Sequence, residues 1–104
     1  MISNDYKLII SVVDKKIADK VLHAIENEGV TRSTIMLSRG RGSDYPKLIF
    51  DIMLEPERET LLTIVHKDKA EHIFNIIMQE GDLSKPLNGI VFIIDVDKVG
   101  GISM

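Results

Sequence analysis

The sequence predicts an α+β fold in which a β-α-β unit occurs twice, giving a four-stranded antiparallel sheet with two helices on one face. Three observations predict it. The two halves of the chain match after a shift of 52 positions, each half holds one helix-periodic segment between two aliphatic runs, and each such segment ends at a glycine. At 104 residues, the chain has the length of a single domain spanning residues 1–104.

The repeat covers a strand and a helix in each half. LIISVV at residues 8–13 aligns with TLLTIV at 60–65, and ADKVLHAIENEG at 18–29 aligns with AEHIFNIIMQEG at 70–81. Another apolar run follows each helix, STIMLS at 33–38 and GIVFIIDV at 89–96. The order strand, helix, strand therefore occurs twice, and the strands that precede the helices are expected to lie side by side in the middle of the sheet. This is the ferredoxin-like arrangement.

Both helical segments are amphipathic. Apolar residues recur at the i, i+3, i+4 and i+7 spacing that defines one face of a helix. In the first segment they are Ala18, Val21, Leu22 and Ile25, and in the second they are Ala70, Ile73, Phe74 and Ile77.

The helix ends carry recognisable capping residues. Asp14 is the predicted N-cap of the first helix, and Asp68 with Glu71 has the three-residue spacing of a capping box. Gly29 and Gly81 follow the two helical segments, and we expect each to adopt the left-handed conformation that ends many helices.

The strands are apolar on both sides. Helices cover only one face of such a sheet, so its strands are expected to alternate apolar and polar residues. Leu8, Ile10 and Val12 point to one side and Ile9 and Val13 to the other. A monomer rarely leaves so large an aliphatic face in water. The sequence therefore predicts self-association through the face away from the helices, and the alternative is a loop or terminus that covers it.

Composition excludes several classes of function. The net charge is −3 and aromatic residues make up 5%, which argues against binding a nucleic-acid backbone or stacking bases. The chain contains no cysteine, which fits a cytoplasmic location, and its start lacks the pattern of a signal peptide. No apolar run reaches the roughly 18 residues of a membrane span, so direct membrane insertion is not expected.

The two halves differ in their connections. The connection between the second and third strands runs from Arg39 to about Glu59 and includes an apolar run, KLIFDIML at 47–54, that would be an extra short strand or a docking patch. The segment GDLSKPLNG at 81–89 joins the second helix to the last strand, and its Asn88-Gly89 pair is a turn signal. Long connections of this kind are typical of binding and signalling surfaces.

The long connection begins with a possible anion site. Arg39, Gly40, Arg41 and Gly42 combine arginine forks with glycine amides that can approach a phosphate closely. No GK[ST] follows, so the segment is not a P-loop. By themselves these four residues leave two interpretations open, a phosphate cradle and a solvated turn.

The sequence contains no catalytic constellation. The three histidines, His23, His66 and His72, lack metal-ligand spacing, and Ser11 and Thr63 have no adjacent base. We therefore predict a protein that is not an enzyme and has no metal site.

With these parts in order, the chain resembles the nitrogen-regulatory PII signalling family, in particular a divergent PII-like subgroup. The resemblance rests on SRGRG at 38–42, EGDLSKPLNGIVFIIDV at 80–96, EPERETLLTIV at 55–65 and VDKVGGI at 96–102. It covers nearly the whole chain.

The resemblance implies a homotrimer whose sheet faces pack around the three-fold axis. It further implies an effector, with ATP, ADP or AMP as candidates, bound in clefts between subunits, and no certain cofactor. The residues implied for that site are Arg39, Gly40, Arg41, Gly42, Lys85 and Gly89. The long loop would contact a target protein, such as a transporter or a metabolic enzyme, in the regulation of nitrogen metabolism. The loop residues predicted to contact it are Tyr45, Lys47, Phe50 and Arg58.

The chain also departs from the family pattern. Ile90 stands where the family has a lysine, Asp44 stands where it has a glutamine, and the last residues, GGISM, lack the R-T-G-E of founding members. Tyr45 lacks the sequence context of the tyrosine that some members modify. The usual phosphate contacts therefore lose several cations, whose charge-assisted hydrogen bonds each contribute about 1.5–3 kcal/mol.

Two other families share the element order with different functions. An ACT-like amino-acid-binding domain would form dimers, and a small acylphosphatase-like enzyme would need an arginine directly after the first strand, where this chain reads VVDKKI. A CutA-like trimer is a further alternative, but its metal ligands are not found in this sequence.

Overall fold

The computed structural model describes residues 2–39, 48–49, 52–53 and 57–102. Along the chain its elements are β1 (Ile2–Ser3), β2 (Tyr6–Asp14), α1 (Lys15–Asn27), β3 (Thr34–Arg39), β4 (Leu48–Ile49), β5 (Ile52–Met53), β6 (Glu57–His66), α2 (Lys67–Glu80), β7 (Gly89–Asp95) and β8 (Val99–Gly100).

The four long strands form one antiparallel sheet in the order β3-β6-β2-β7. The strands that precede the helices, β2 and β6, lie side by side in its middle, as the doubled sequence pattern predicts. Both helices contact this sheet and each other. The ferredoxin-like α+β fold expected from the sequence is therefore confirmed.

The core preserves the 52-residue repeat. In six pairs of residues separated by 52 positions, both members are buried between the sheet and the helices. The pairs are Ile9 with Leu61, Ser11 with Thr63, Val13 with Val65, Ala18 with Ala70, Val21 with Ile73 and Ile25 with Ile77. The repeat seen in the sequence therefore corresponds to a repeated packing arrangement.

The helix caps confirm two predictions and correct two others. The Asp14 carboxylate accepts a hydrogen bond from the Lys16 amide at 2.9 Å, as an N-cap does, and Gly29 has a φ of 93°. The capping box at Asp68 is wrong, because β6 continues to His66. The Nδ1 atom of His66 accepts the Asp68 amide at 3.2 Å, and His66 is therefore the N-cap of α2.

The left-handed prediction at Gly81 is also wrong. Its φ is −80°, and the positive φ, 49°, falls on the next residue, Asp82. A side chain at position 81 would nevertheless be crowded. A Cβ there would lie 2.9 Å from the Leu83 side chain and 3.0 Å from the Ile77 carbonyl oxygen.

The face of the sheet away from the helices carries large apolar side chains, as the sequence predicts. We call it the open face. Strand register places on it Leu8, Ile10, Val12, Met36, Leu62, Ile64, Ile90, Phe92 and Ile94. Within this set Ile90 is 60% exposed and Ile94 is 42% exposed.

The connection between β3 and β6 is shorter than the sequence suggests. Strand β3 ends at Arg39 and strand β6 begins at Glu57, so the connection spans residues 40–56. Within it, the predicted extra strand in KLIFDIML is a small antiparallel hairpin of β4 and β5, in which Ile49 is paired with Ile52.

Candidate functional site

The sequence-predicted site residues fall into three groups. Arg39 is the last residue of β3, and Lys85 and Gly89 lie in and after the loop that follows α2. Gly40, Arg41, Gly42, Tyr45, Lys47 and Phe50 lie outside the described residues. Arg58, expected in the long loop, is the second residue of β6 and only 2% exposed, so the structure places it in the sheet.

Arg39 and Gly89 lie at the same end of the sheet but at opposite edges. Arg39 pairs with Glu57 on the β3 edge, and Gly89 pairs with Val13 on the β7 edge. Two strands separate β3 from β7, so the edges are about 14 Å apart at the usual spacing of neighbouring strands. Within one copy, the strand positions alone therefore do not bring Arg39 and Gly89 close enough to contact the same small ligand.

The loop before β7 is held by its own hydrogen bonds. The Asn88 side-chain amide donates to the carbonyl oxygens of Gly81 at 3.2 Å and of Asp82 at 2.9 Å. The Lys85 ammonium lies 3.0 Å from the Asp82 carboxylate, and its side chain is 70% exposed. Lys85 is therefore a solvent-facing cation on an ordered loop.

A glycine is required at position 89 because the backbones of β7 and β2 approach each other closely there. Its φ is 146°, and a Cβ built on it would lie 2.3 Å from the Val12 carbonyl oxygen and 2.8 Å from the Val13 Cα. The neighbouring Asn88 carbonyl accepts the Asp14 amide at 3.0 Å. This contact fixes where the loop meets the first turn of α1.

A small groove surrounds Arg39. Its volume is about 210 Å³, and it is lined by Lys15, Leu37, Ser38, Arg39 and Glu57. The Lys15 ammonium lies 3.2 Å from the Glu57 carboxylate. Two cations therefore border a groove that holds one carboxylate, at the point where the 40–56 connection leaves the sheet.

A larger cavity, of about 580 Å³, lies at the opposite end of β3. It is lined by Tyr6, Val30, Thr31, Arg32, Ser33, Thr34, Leu62, Ile64, Gly101 and Ile102. We call it the Thr31 cavity. Sequence reasoning missed it, because its lining residues come from four separate segments of the chain.

The lining of the Thr31 cavity combines apolar and polar chemistry. Leu62 and Ile64 supply an aliphatic wall, whereas Thr31, Ser33 and Arg32 supply hydroxyl groups and a guanidinium. The Ser33 hydroxyl lies 3.2 Å from that of Thr63, a hydrogen bond that connects the cavity to the core. This mixture suits a ligand with an apolar or aromatic body and an anionic group.

Much of the cavity wall belongs to the open face. Tyr6, Thr34, Leu62 and Ile64 alternate along their strands with the residues that face the helices. A second copy packed against the open face would therefore border the same cavity.

The described part of the chain holds no group of three or more histidine, aspartate or glutamate side chains placed to bind a metal ion. Neither of its helices combines the length and the hydropathy that crossing a membrane requires.

The fold and these sites define the class of protein: a small ferredoxin-like domain with a long connection after its second sheet strand. The family model described as nitrogen regulatory protein P-II matches residues 6–104. The chain therefore belongs to the P-II family, a family of regulatory proteins. No curated protein sequence matches it.

Solved structures agree on the fold. The chain is similar to Arabidopsis thaliana PII in its crystal structure bound to citrate, with a TM-score of 0.72 and 19% sequence identity. The match covers 91% of this chain and 80% of the Arabidopsis chain.

Proposed function

We propose that this protein is a homotrimeric regulator that binds an anionic small molecule, with an adenine nucleotide as the first candidate, in clefts between its copies. Its 40–56 connection would engage a target protein. The regulated process would be nitrogen metabolism in the cytoplasm, and the regulator would act by binding and not by catalysis. Family membership supports the regulatory role. One structural observation supports the assembly of several copies, namely the exposed apolar open face.

The energetic argument for assembly is direct. Ile90, Phe92 and Ile94 are 39–60% exposed on β7, beside half-buried aliphatic residues of β2. Burying a large aliphatic side chain stabilises an assembly by roughly 1.5–3 kcal/mol relative to leaving it in water. Covering this face in several copies at once would remove a patch that monomers seldom expose.

Assembly would also complete the binding site. In one copy, Arg39 and the Thr31 cavity lie at opposite ends of the six-residue strand β3. In a ring that places the Arg39 end of β3 in one copy beside the Thr31 end of β3 in its neighbour, the two sites would share one cleft. Each cleft would then combine the cations near Arg39 with the hydroxyl groups and aliphatic wall of the Thr31 cavity, and Lys85 and Gly89 would border it.

Two measurements on the intact protein test this function. Native mass spectrometry is expected to show three copies, and a dimer or a monomer would contradict the trimer. A dimer would favour the ACT-like alternative. Isothermal titration with ATP, ADP and AMP is expected to show one site per copy. Citrate is a useful comparison anion because it is bound in the Arabidopsis structure. Binding of none of these nucleotides would contradict the nucleotide part of the proposal.

A further inference from the structure

We propose that the N-terminal strand β1 is a clamp that holds the C-terminal strand β8 and so positions the wall of the Thr31 cavity formed by Gly101 and Ile102. The proposal rests on the proposed function only in treating that cavity as a binding site. Residues 2–3 lie before the range matched by the family model, 6–104, so the clamp is a feature that the family match does not cover.

The first observation is the pairing of β8. Ile2 pairs with Gly100 and Ser3 with Val99 in a two-stranded antiparallel ribbon, and β8 has no other strand partner in the described part of the chain. The pairing runs through the backbone, since Ile2 is 71% exposed and its side chain is not buried. Without β1, strand β8, which leads to Gly101, would have no paired strand in the described part of the chain.

The second observation is the anchor of β1 on the folded domain. The Asp5 carbonyl accepts the Lys67 amide at 2.8 Å, and the Asp5 carboxylate lies 3.4 Å from the Lys67 ammonium. The Ser3 hydroxyl accepts the Asp5 amide at 3.0 Å. These contacts attach the segment that follows β1 to the first turn of α2.

The third observation is the position of the cavity relative to the ribbon. Gly101 and Ile102 follow β8 directly and line the cavity, and Tyr6 opens β2 and lines it too. The ribbon therefore connects the cavity wall to the N-terminus of α2. Gly101 has a φ of 83°, and nothing lies within 4 Å of the point that a Cβ would occupy, so no side-chain contact could hold it there. Its position depends on the strand before it.

The test uses two variants of the full chain. Ser3→Pro removes both the backbone donor and the hydroxyl acceptor of Ser3 and restricts φ in β1, whereas the matched control Ser3→Ala loses the hydroxyl but keeps the backbone donor. In Ser3→Pro we expect amide hydrogen exchange at residues 99–102 to be about tenfold faster or more, because an unpaired strand end is barely protected. Exchange at Ile9 and Leu61 in the core should not change, which shows that the variant still folds.

An engineered disulfide between β1 and β8 tests whether joining the two strands reverses the effect of Ser3→Pro. The chain contains no cysteine, so Ile2→Cys with Gly100→Cys gives a single possible pair within one copy. Directly opposite residues of an antiparallel ladder lie about 4.5–5.5 Å apart at Cα, within the range of a disulfide. Added to Ser3→Pro, the oxidised pair should restore slow exchange at 99–102, and its reduction should remove that protection.

Ligand binding is the second readout, with ATP as the probe. If the intact protein binds ATP, Ser3→Pro is expected to weaken binding severalfold and the oxidised pair to recover it. Unchanged exchange at 99–102 in Ser3→Pro would overturn the clamp, whereas faster exchange with unchanged ATP affinity would overturn its role in positioning the wall of the binding cavity. If the intact protein does not bind ATP, the nucleotide proposal fails, and the exchange data alone decide whether β1 holds β8.

Discussion

The amide of Asp14 donates a hydrogen bond to the Asn88 carbonyl at 3.0 Å, and this contact joins the start of α1 to the loop that follows α2. The two residues belong to the two different β-α-β units, 74 positions apart along the chain. Directly beyond Asn88, Gly89 lies against Val12 and Val13 with no room for a side chain. The loop before β7 is therefore positioned by β2 as well as by its own turn.

This close approach predicts a large cost for a small substitution. In Gly89→Ala the added Cβ would clash with the Val12 carbonyl oxygen, and the alanine would also have to adopt a positive φ. We therefore expect the free energy of unfolding to fall by about 3 kcal/mol. Urea denaturation measures it. Gly101→Ala is the matched control, because its φ is also positive but nothing lies within 4 Å of the added Cβ. The control should lose only about 1–2 kcal/mol. Equal losses would contradict the steric explanation.

Removing the buried hydroxyl group of Ser11 and removing that of Thr63 should have different effects on stability. Ser11 Oγ is buried and has no hydrogen-bond partner in the described part of the chain, whereas Thr63 Oγ1 lies 3.2 Å from Ser33 Oγ. Ser11→Ala removes an unsatisfied polar group and is expected to leave stability unchanged or raise it by about 1 kcal/mol. Thr63→Val breaks a hydrogen bond and should lower stability by about 1 kcal/mol. Thermal unfolding of both variants checks the signs, and a clear loss in Ser11→Ala would refute this interpretation.

The two helices should respond alike to loss of their N-caps. Asp14→Ala and His66→Ala each remove the side-chain acceptor of a helix amide and should each cost about 1 kcal/mol of stability. Asp14→Ser keeps an acceptor oxygen and His66→Asp replaces the acceptor nitrogen with an oxygen, so both serve as rescue variants. Chemical denaturation of all four gives the comparison. If His66→Asp is as unstable as His66→Ala, His66 does not act as a cap.

The open face should control the number of copies. Ile90→Lys places a charge on the open face, where Ile90 is 60% exposed. Desolvating that charge in an interface is costly, so we expect the assembly to dissociate to a species of 11.7 kDa at micromolar concentration. Leu37→Lys is the control, because Leu37 is 74% exposed but points to the helix side of the edge strand. Sedimentation equilibrium distinguishes them, and an unchanged mass for Ile90→Lys would remove the open face as the interface.

Arg32 should contribute to anion binding in the Thr31 cavity. Arg32→Ala removes its guanidinium, and a charge-assisted hydrogen bond contributes about 1.5–3 kcal/mol, so ATP affinity should fall about tenfold or more. Lys20→Ala is the control, since Lys20 lies on α1 and pairs with Glu80 at 3.8 Å. Isothermal titration compares the variants. An equal loss of affinity in both would indicate a general effect of net charge and not a contact at the cavity.

The sequence by itself determined the doubled β-α-β order, the central position of β2 and β6, and the apolar open face. It did so because the repeat and the helical period are local patterns. The Asp14 cap and the Gly29 turn were also predictable, since each depends on a few neighbouring residues. His66 was missed as a cap because the length of β6 is fixed by its pairing with β2, and Asp68 alone looked like a better helix start.

Only the tertiary structure decided where the candidate sites lie. The sequence predicts Arg58 in the long loop, but pairing with Asp14 and Ser38 places it in the sheet, where it is buried. The Thr31 cavity joins residues 6, 30–34, 62, 64 and 101–102, which come from four separate segments and have no shared motif. Strand register brings them together, and register depends on contacts between residues far apart along the chain, which no local pattern records.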